Sequence, residues 1–403
     1  MIRKALYILL IMLCCGLSSR TAAQSLTDDS LTVSLLTCAP GSQIYELEGH
    51  SGLRLRGPAF DVVANWGLFD FNSPGFVYRF VKGETDYCVG AIPTEFFLMQ
   101  YKAEGRRVTE QTLNLTRSQT QTLDSLIREN LQPQNRVYRY NYVLDNCATR
   151  PLALVERATG YPIELSPALT RLQPHVTFRR VMQHYHTNYP WYQFGIDLAL
   201  GCGIDRTITE REIAFAPEAL EHMVAQASII TPDGKIPLVK STRVLVDGPE
   251  EGTALEATPW LLTPLCAMTA LLLCAIALSV RDLRRRRLTV WGDILLFGAL
   301  GTLGLILTFL IFISIHEATS PNYLYLWINP LCLAVAVLVC FRSKACKRAL
   351  VVIDSLITAG VLTYTVVAIA GLQSCNVAFV PLMATVVLRC ATAIAITRRQ
   401  LAK

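Results

Sequence analysis

The chain has 403 residues, of which 52% are hydrophobic and 17% charged, and a mean hydropathy of +0.36; an ordinary soluble domain carries roughly 25% charged residues. A wholly soluble or a disordered protein is excluded. The formal charge of +6 does not point to nucleic acid, because the basic excess is confined to residues 281–403, with 13 basic against 4 acidic residues, while residues 24–280 are net acidic; nucleic-acid binding needs a clustered basic face on a folded domain.

In chain order, residues 1–23 combine Arg3 and Lys4, an apolar run from Ala5 to Leu17 and the small residues Thr21-Ala22-Ala23. This pattern predicts a secretory signal peptide cut after Ala23; the apolar run is short of the roughly 20 residues needed to span a bilayer. Residues 24–256 are expected to form one mixed α and β extracytoplasmic domain, long enough for a sizeable core. Strand-like runs occur at Leu31 to Leu36, Ser51 to Leu55, Val62 to Trp66 and Phe76 to Val81, and Ser118 to Leu131 has the spacing of an amphipathic helix.

Residues 257–403 are expected to be a transmembrane domain of five helices, at about 259–280, 291–314, 323–341, 350–372 and 377–396. The joints alternate: Arg281 to Arg287, Arg342 to Arg348 and Arg398 to Lys403 are basic, while His316 to Asn322 and Ser374 to Asn376 are not. The positive-inside rule then sets the basic joints and the C-terminus in the cytoplasm and residues 24–256 outside it. The signal peptide demands the same side. Gly298, Gly301 and Gly304 suit close helix packing.

Outside the signal peptide and the spans, the cysteines are Cys38, Cys88, Cys147 and Cys202. In an oxidising space four thiols suffice for two disulfides, whereas a catalytic thiol leaves an odd number; the pairing is not deducible from the chain alone.

The segment Asp145-Asn146-Cys147-Ala148-Thr149-Arg150-Pro151 precedes a run with helical spacing. Asp145 or Asn146 is a suitable N-cap, which predicts Cys147 in the first turn of a helix, where backbone N–H groups and the macrodipole favour a thiolate and offer donors to an oxyanion. A buried small hydrophobe or half of a disulfide is the plainer role for the same cysteine. Of the histidines, His50 in Gly49-His50-Ser51-Gly52 is best placed to serve as base, since small residues leave its ring approachable; His184 and His186 read as surface residues.

These residues carry a resemblance. Thr37-Cys38-Ala39-Pro40-Gly41, Gly49-His50-Ser51, Asn65-Trp66-Gly67, Asp145-Asn146-Cys147 and, in the apolar part, His316 to Leu331 with Asn322 and Asn329 together resemble the Lnb family of bacterial lipoprotein N-acyltransferases, over most of the mature chain. The order histidine before cysteine is also similar to the circularly permuted papain-like hydrolases and acyltransferases, among them lecithin:retinol acyltransferase. The resemblance implies an α+β permuted papain-like domain followed by the membrane module, in the inner membrane with the catalytic domain in the periplasm. It implies Cys147 as nucleophile and His50 as base, with a polar group to orient the ring: Asn65 first, Asp61 second, Asn65 being equally suited to capping a turn before Gly67. Asp197 and Asp205 match the family pattern without a derivable role.

The implied reaction moves an acyl chain from a membrane phospholipid through a Cys147 thioester to the N-terminal amine of a diacylated lipoprotein. Asp145, Asn146, Arg150, His316, Asn322 and Asn329 are substrate-binding candidates, although capping explains Asp145 and Asn146, a structural ion pair suits Arg150, and interfacial anchoring suits the last three. There is no nucleotide loop or metal-spacing motif, so no cofactor or metal is expected. The competing functions are a papain-like cell-wall peptidase or amidase, a phospholipase using water as acceptor, and a non-enzymatic membrane scaffold.

Overall fold

The computed structural model describes residues 31–169, 174–250, 252–253 and 256–402; the expected signal peptide, residues 1–23, lies outside them. The N-terminal part is built on a seven-stranded antiparallel sheet. Its strands are β1 (Thr32–Cys38), β2 (His50–Arg56), β3 (Asp61–Leu68), β4 (Asp86–Pro93), β5 (Val108–Leu113), β6 (Val137–Arg139) and β10 (Val239–Val246), in the order β10-β5-β1-β2-β3-β4-β6. A second sheet of β7 (Ile163–Glu164), β8 (Ser228–Thr231) and β9 (Gly234–Pro237) stands apart.

Period-two alternation splits the main sheet into two apolar faces. Val33, Leu35, Leu53 and Leu55 join Leu123 and Ile127 of helix α3 (Arg117–Leu131), Leu152 and Val155 of α4 (Thr149–Thr159), and Leu220 and Val224 of α8 (Pro217–Ala225) in the main core. Leu36, Cys38 and Val63 point the other way, against Phe97 and Tyr101 of α2 (Thr94–Ala103). Helix α3 begins as its sequence suggests, with Thr116 and Gln119 forming a reciprocal capping box.

One expected strand is a helix. Phe76–Lys82 forms α1, bracketed by Gly75 and Gly83 at φ 65° and 83°. Its aromatic and β-branched residues suit a pleated, half-buried surface, but the strand it follows, β3, already pairs with β2 and β4 on its two sides, and α1 has no buried residue.

Four helices are long and apolar enough to cross a membrane: α9 (Pro264–Arg285), α10 (Val290–Phe312), α12 (Lys344–Ile369) and α13 (Phe379–Leu401). The third expected span is broken into a 3-10 turn at Tyr323–Leu326 and a short helix, α11 (Leu331–Leu338). Pro330 has no N–H to continue a ladder, and Asn329 Oδ1 instead caps the Leu331 N–H at 3.0 Å. Glycines make room for the break. A Cβ on Gly304 would lie 2.4 Å from the Asn329 carbonyl carbon, on Gly301 2.5 Å from Leu333, and on Gly360 2.0 Å from the Leu326 oxygen, whereas Gly298 faces open space. At the opposite end, buried Arg389 of α13 bonds Asp293 of α10 at 2.8 Å and Asp282 of α9 at 3.0 Å, tying three helices together.

The two parts are joined by an extensive polar seam. Asp197, at 0% exposure in α6 (Pro190–Ala199), accepts from Arg179 of α5 (Phe178–Tyr185) at 2.8 Å, from Gln193 at 2.9 Å and from Asn376 of the membrane part at 2.8 Å. Arg179 also binds Asp205 at 2.8 Å and the carbonyls of Leu200 and Gly201. Asp197 and Asp205 thus acquire a role that the chain alone did not indicate: they compensate a fully buried guanidinium at the junction.

Candidate active site

The chain enters α4 through a side-chain cap. Asn146 Oδ1 accepts from the backbone N–H of Ala148 at 2.8 Å and of Thr149 at 2.9 Å, while its amide nitrogen donates to the carbonyls of Tyr142 and Phe215, both at 2.8 Å. Arg150 N–H closes the first helical turn onto the Asn146 carbonyl. Cys147 therefore sits directly after the cap, in the turn that feeds the helix. The donors at Ala148, Thr149 and Arg150 are consumed by Asn146, so those expected to hold an oxyanion at the helix start are not open.

Two strand ends receive Cys147. Ser51, second residue of β2, donates its hydroxyl to the Cys147 carbonyl at 2.7 Å, and its backbone N–H and hydroxyl both face the thiol. On β3, Gly67 adopts φ +88°, and a Cβ there would lie 3.8 Å from Cys147 Cβ and 4.0 Å from the Tyr140 ring. A side chain at that position would crowd both. Cys147 is 8% exposed, and burial pushes its thiol up to about 11, against the lowering effect of the Ser51 N–H.

His50 precedes Ser51 on β2. Its Nε2 donates to Asn65 Oδ1 of β3 at 2.6 Å, which leaves Nδ1 with the lone pair. The ring lies parallel to Tyr101, with centroids 6.5 Å apart. Burial lowers the imidazole to about 4, although the Asn65 bond works the other way. At neutral pH the resting pair is therefore thiol and neutral imidazole. Among the described residues no hydrogen bond joins His50 to Cys147; apo catalytic contacts are often longer than those in a substrate complex.

Of the two candidate orienting groups, Asn65 is the one that bonds His50. Asp61 is held at the far end of β3 by Arg54, through Nε at 2.8 Å and NH2 at 2.5 Å, and by Thr94 at 2.6 Å. Asp145 and Arg150 bind one another at 2.5 and 2.7 Å, with the guanidinium 3.6 Å from the centroid of the Tyr138 ring. Of the remaining candidates, His316 and Asn322 belong to the seam and Asn329 to the interior of the membrane part. His316 Nε2 donates to the Phe80 carbonyl at 2.7 Å; Asn322 donates to the Leu198 carbonyl at 2.9 Å and accepts from Gln373 at 3.0 Å; Asn329 caps α11.

Several neighbours of the site were given no role of their own by the sequence. Ser51 and Gly67 are ordinary small residues until the fold places them on Cys147. His186, expected at the surface, is 2% exposed: its Nδ1 meets Gln193 Oε1 at 2.7 Å, and its Nε2 faces Glu48 Oε1 at 3.4 Å. Glu48 in turn accepts from the Tyr142 hydroxyl. Cys38, Cys147 and Cys202 carry free thiols, which rules out the arrangement of four thiols in two disulfides.

The fold and site define a membrane-embedded protein whose α and β outer domain presents a cysteine beside a histidine and asparagine pair. Two family models match: the Lnb N-terminal periplasmic domain over residues 19–184 and the Lnb transmembrane domain over residues 256–401. The chain belongs to the Lnb family, with a periplasmic N-terminal domain and a membrane-spanning module. No curated protein and no solved structure matches it.

Proposed function

We propose that this protein is a lipoprotein N-acyltransferase that works through a Cys147 thioester. The observation that carries the reading is the convergence of Cys147 with the His50 and Asn65 pair at adjoining strand ends, in a domain docked on a membrane module. His50 Nδ1 takes the thiol proton, and sulfur attacks an acyl ester carbonyl of a phospholipid. The ester C–O bond breaks, and the imidazolium returns its proton to the leaving alkoxide, releasing a lysophospholipid. The free α-amine of a diacylglyceryl-cysteine then attacks the thioester; its proton passes through His50 to the departing thiolate, and an amide results.

Because the helix-start donors are occupied, the oxyanion is assigned to the Ser51 and Cys147 N–H groups beside the sulfur. Asn65 orients the ring. Asp145, Asn146 and Arg150 serve the site by shaping the entry to α4, His316 and Asn322 by fixing the seam, and Asn329 by capping α11, in place of direct substrate binding. The outer domain is a permuted papain-like fold spanning residues 24–256, on a five-pass inner-membrane module, residues 257–403, with the C-terminus in the cytoplasm. The basic joints support that orientation.

The test is mass spectrometry of the N-terminal lipopeptide of an abundant lipoprotein, from cells with the gene, without it, and complemented with wild type or Cys147→Ala. Loss of the third acyl chain, restored by wild type alone, is the expected result. An unchanged lipopeptide would sink the acceptor assignment.

A further inference from the structure

Helix α1 presents an apolar face to the surroundings: Val77 is 73% exposed, Tyr78 56% and Phe80 46%. Scattered exposed apolar residues are unremarkable, but a contiguous patch marks an interaction surface, and the position of this one identifies its occupant. The C-terminal carbonyls of α1 are bonded to the chain emerging from span α10: Phe80 to His316 Nε2 at 2.7 Å, Val81 to Ser314 Oγ at 2.8 Å and Lys82 to the Ile315 N–H at 2.9 Å. The Tyr78 ring packs on Phe309 of that span, with centroids 5.9 Å apart. The exposed face of α1 is therefore continuous with Phe312 and Ile315, which are 68% and 59% exposed, at the outer end of a membrane-spanning helix. Arg79, bonded to Ser73 at 2.7 Å, and Lys82, paired with Glu84 at 2.7 Å, lie in its last turn, and basic residues flanking an apolar face are usual in an in-plane interfacial helix.

Aromatic rings run from that helix to the thiol. Phe80 meets Phe76 at 5.9 Å, Phe76 meets Phe69 at 5.6 Å, Phe69 meets Tyr87 at 4.8 Å and Tyr87 meets Tyr140 at 4.2 Å between centroids. Tyr140 and Cys147 then share the space above Gly67. We propose that α1 lies in the outer lipid monolayer and that the ring series from Phe80 to Tyr140 is the path by which a phospholipid acyl chain reaches Cys147. The path rests on the thioester reading above; the helix placement does not.

The test uses the full-length protein in phospholipid nanodiscs, with acylation of Cys147 followed by intact mass from two donors, the bilayer lipid and a soluble short-chain p-nitrophenyl ester. Val77→Asp is expected to slow acylation by bilayer lipid about ten-fold and to leave the soluble ester rate within about two-fold. Equal slowing with both donors, or no slowing with either, overturns the proposal. Phe69→Trp is expected to slow octanoyl relative to acetyl ester, and an unchanged ratio overturns the path. Val77→Trp in nanodiscs with brominated acyl chains is expected to show added, strongly quenched emission; added but unquenched emission overturns the helix placement. If wild-type Cys147 is acylated by neither donor while Val77→Trp is quenched, the thioester reading and the path fail and the helix placement stands.

Discussion

At the scale of single residues, the site is a neutral pair held ready by hydrogen bonds. With the imidazole lowered to about 4 and the thiol raised to about 11 by burial, His50 can accept a proton at any pH above the first value. Acylation of Cys147 by a soluble ester is thus expected to stay level through neutrality and to fall as the pH drops through about 4. Asn65→Asp puts a carboxylate on the His50 Nε2–H, favours imidazolium, and should move that acid limb to higher pH. A kcat/KM profile of the two proteins checks both statements, and a limb unmoved by the aspartate would argue against Asn65 as the orienting group. Ser51→Ala leaves the buried Cys147 carbonyl without its hydroxyl donor, a loss of about 1–3 kcal/mol readable in thermal unfolding. Cys147 and His50 stood out as candidates by their local settings. Ser51, Gly67 and the buried His186 had no role of their own in the sequence, because their significance comes from neighbours far away in the chain.

At the scale of elements, packing overrode local preference twice. Phe76 to Val81 has the composition of a strand and forms α1, the strand before it, β3, being already paired on both sides. The apolar stretch from Tyr323 onward has the composition of a span and is broken at Asn329-Pro330, which Gly304 and Gly360 accommodate by close approach. Gly360→Ala is expected to displace the Leu326 segment and lower the thermal midpoint of the detergent-solubilised protein; a midpoint equal to wild type would contradict the close approach. The helix after Cys147 and the helix ending before Pro133 follow their sequence signals, because capping and helical periodicity are local.

At the scale of the whole molecule, the docking of the periplasmic domain depends on buried Arg179 and its carboxylates. Arg179→Met strands Asp197 and Asp205 uncompensated, a cost of about 3–5 kcal/mol. Adding Asp197→Asn and Asp205→Asn should recover part of it, measured as the thermal midpoint of the full chain; no recovery would mean that the arginine acts through packing alone. A C-terminal fusion should fluoresce as a green fluorescent protein and be inactive as alkaline phosphatase, and the reverse pattern would invert the proposed orientation.

Membrane character was already legible in the sequence, because hydropathy acts segment by segment against a fixed bilayer thickness. Cys147 and His50 were singled out as candidates from short motifs in a set order. The fold alone decided that Asn65 and not Asp61 meets His50, that Asn146 occupies the helix-start donors, that Asp197 bonds Asn376 across the seam, and that α1 lies beside the outer end of a span. These are contacts between residues distant in the chain, and hydrogen-bond geometry at that separation is set by how sheets and helices pack.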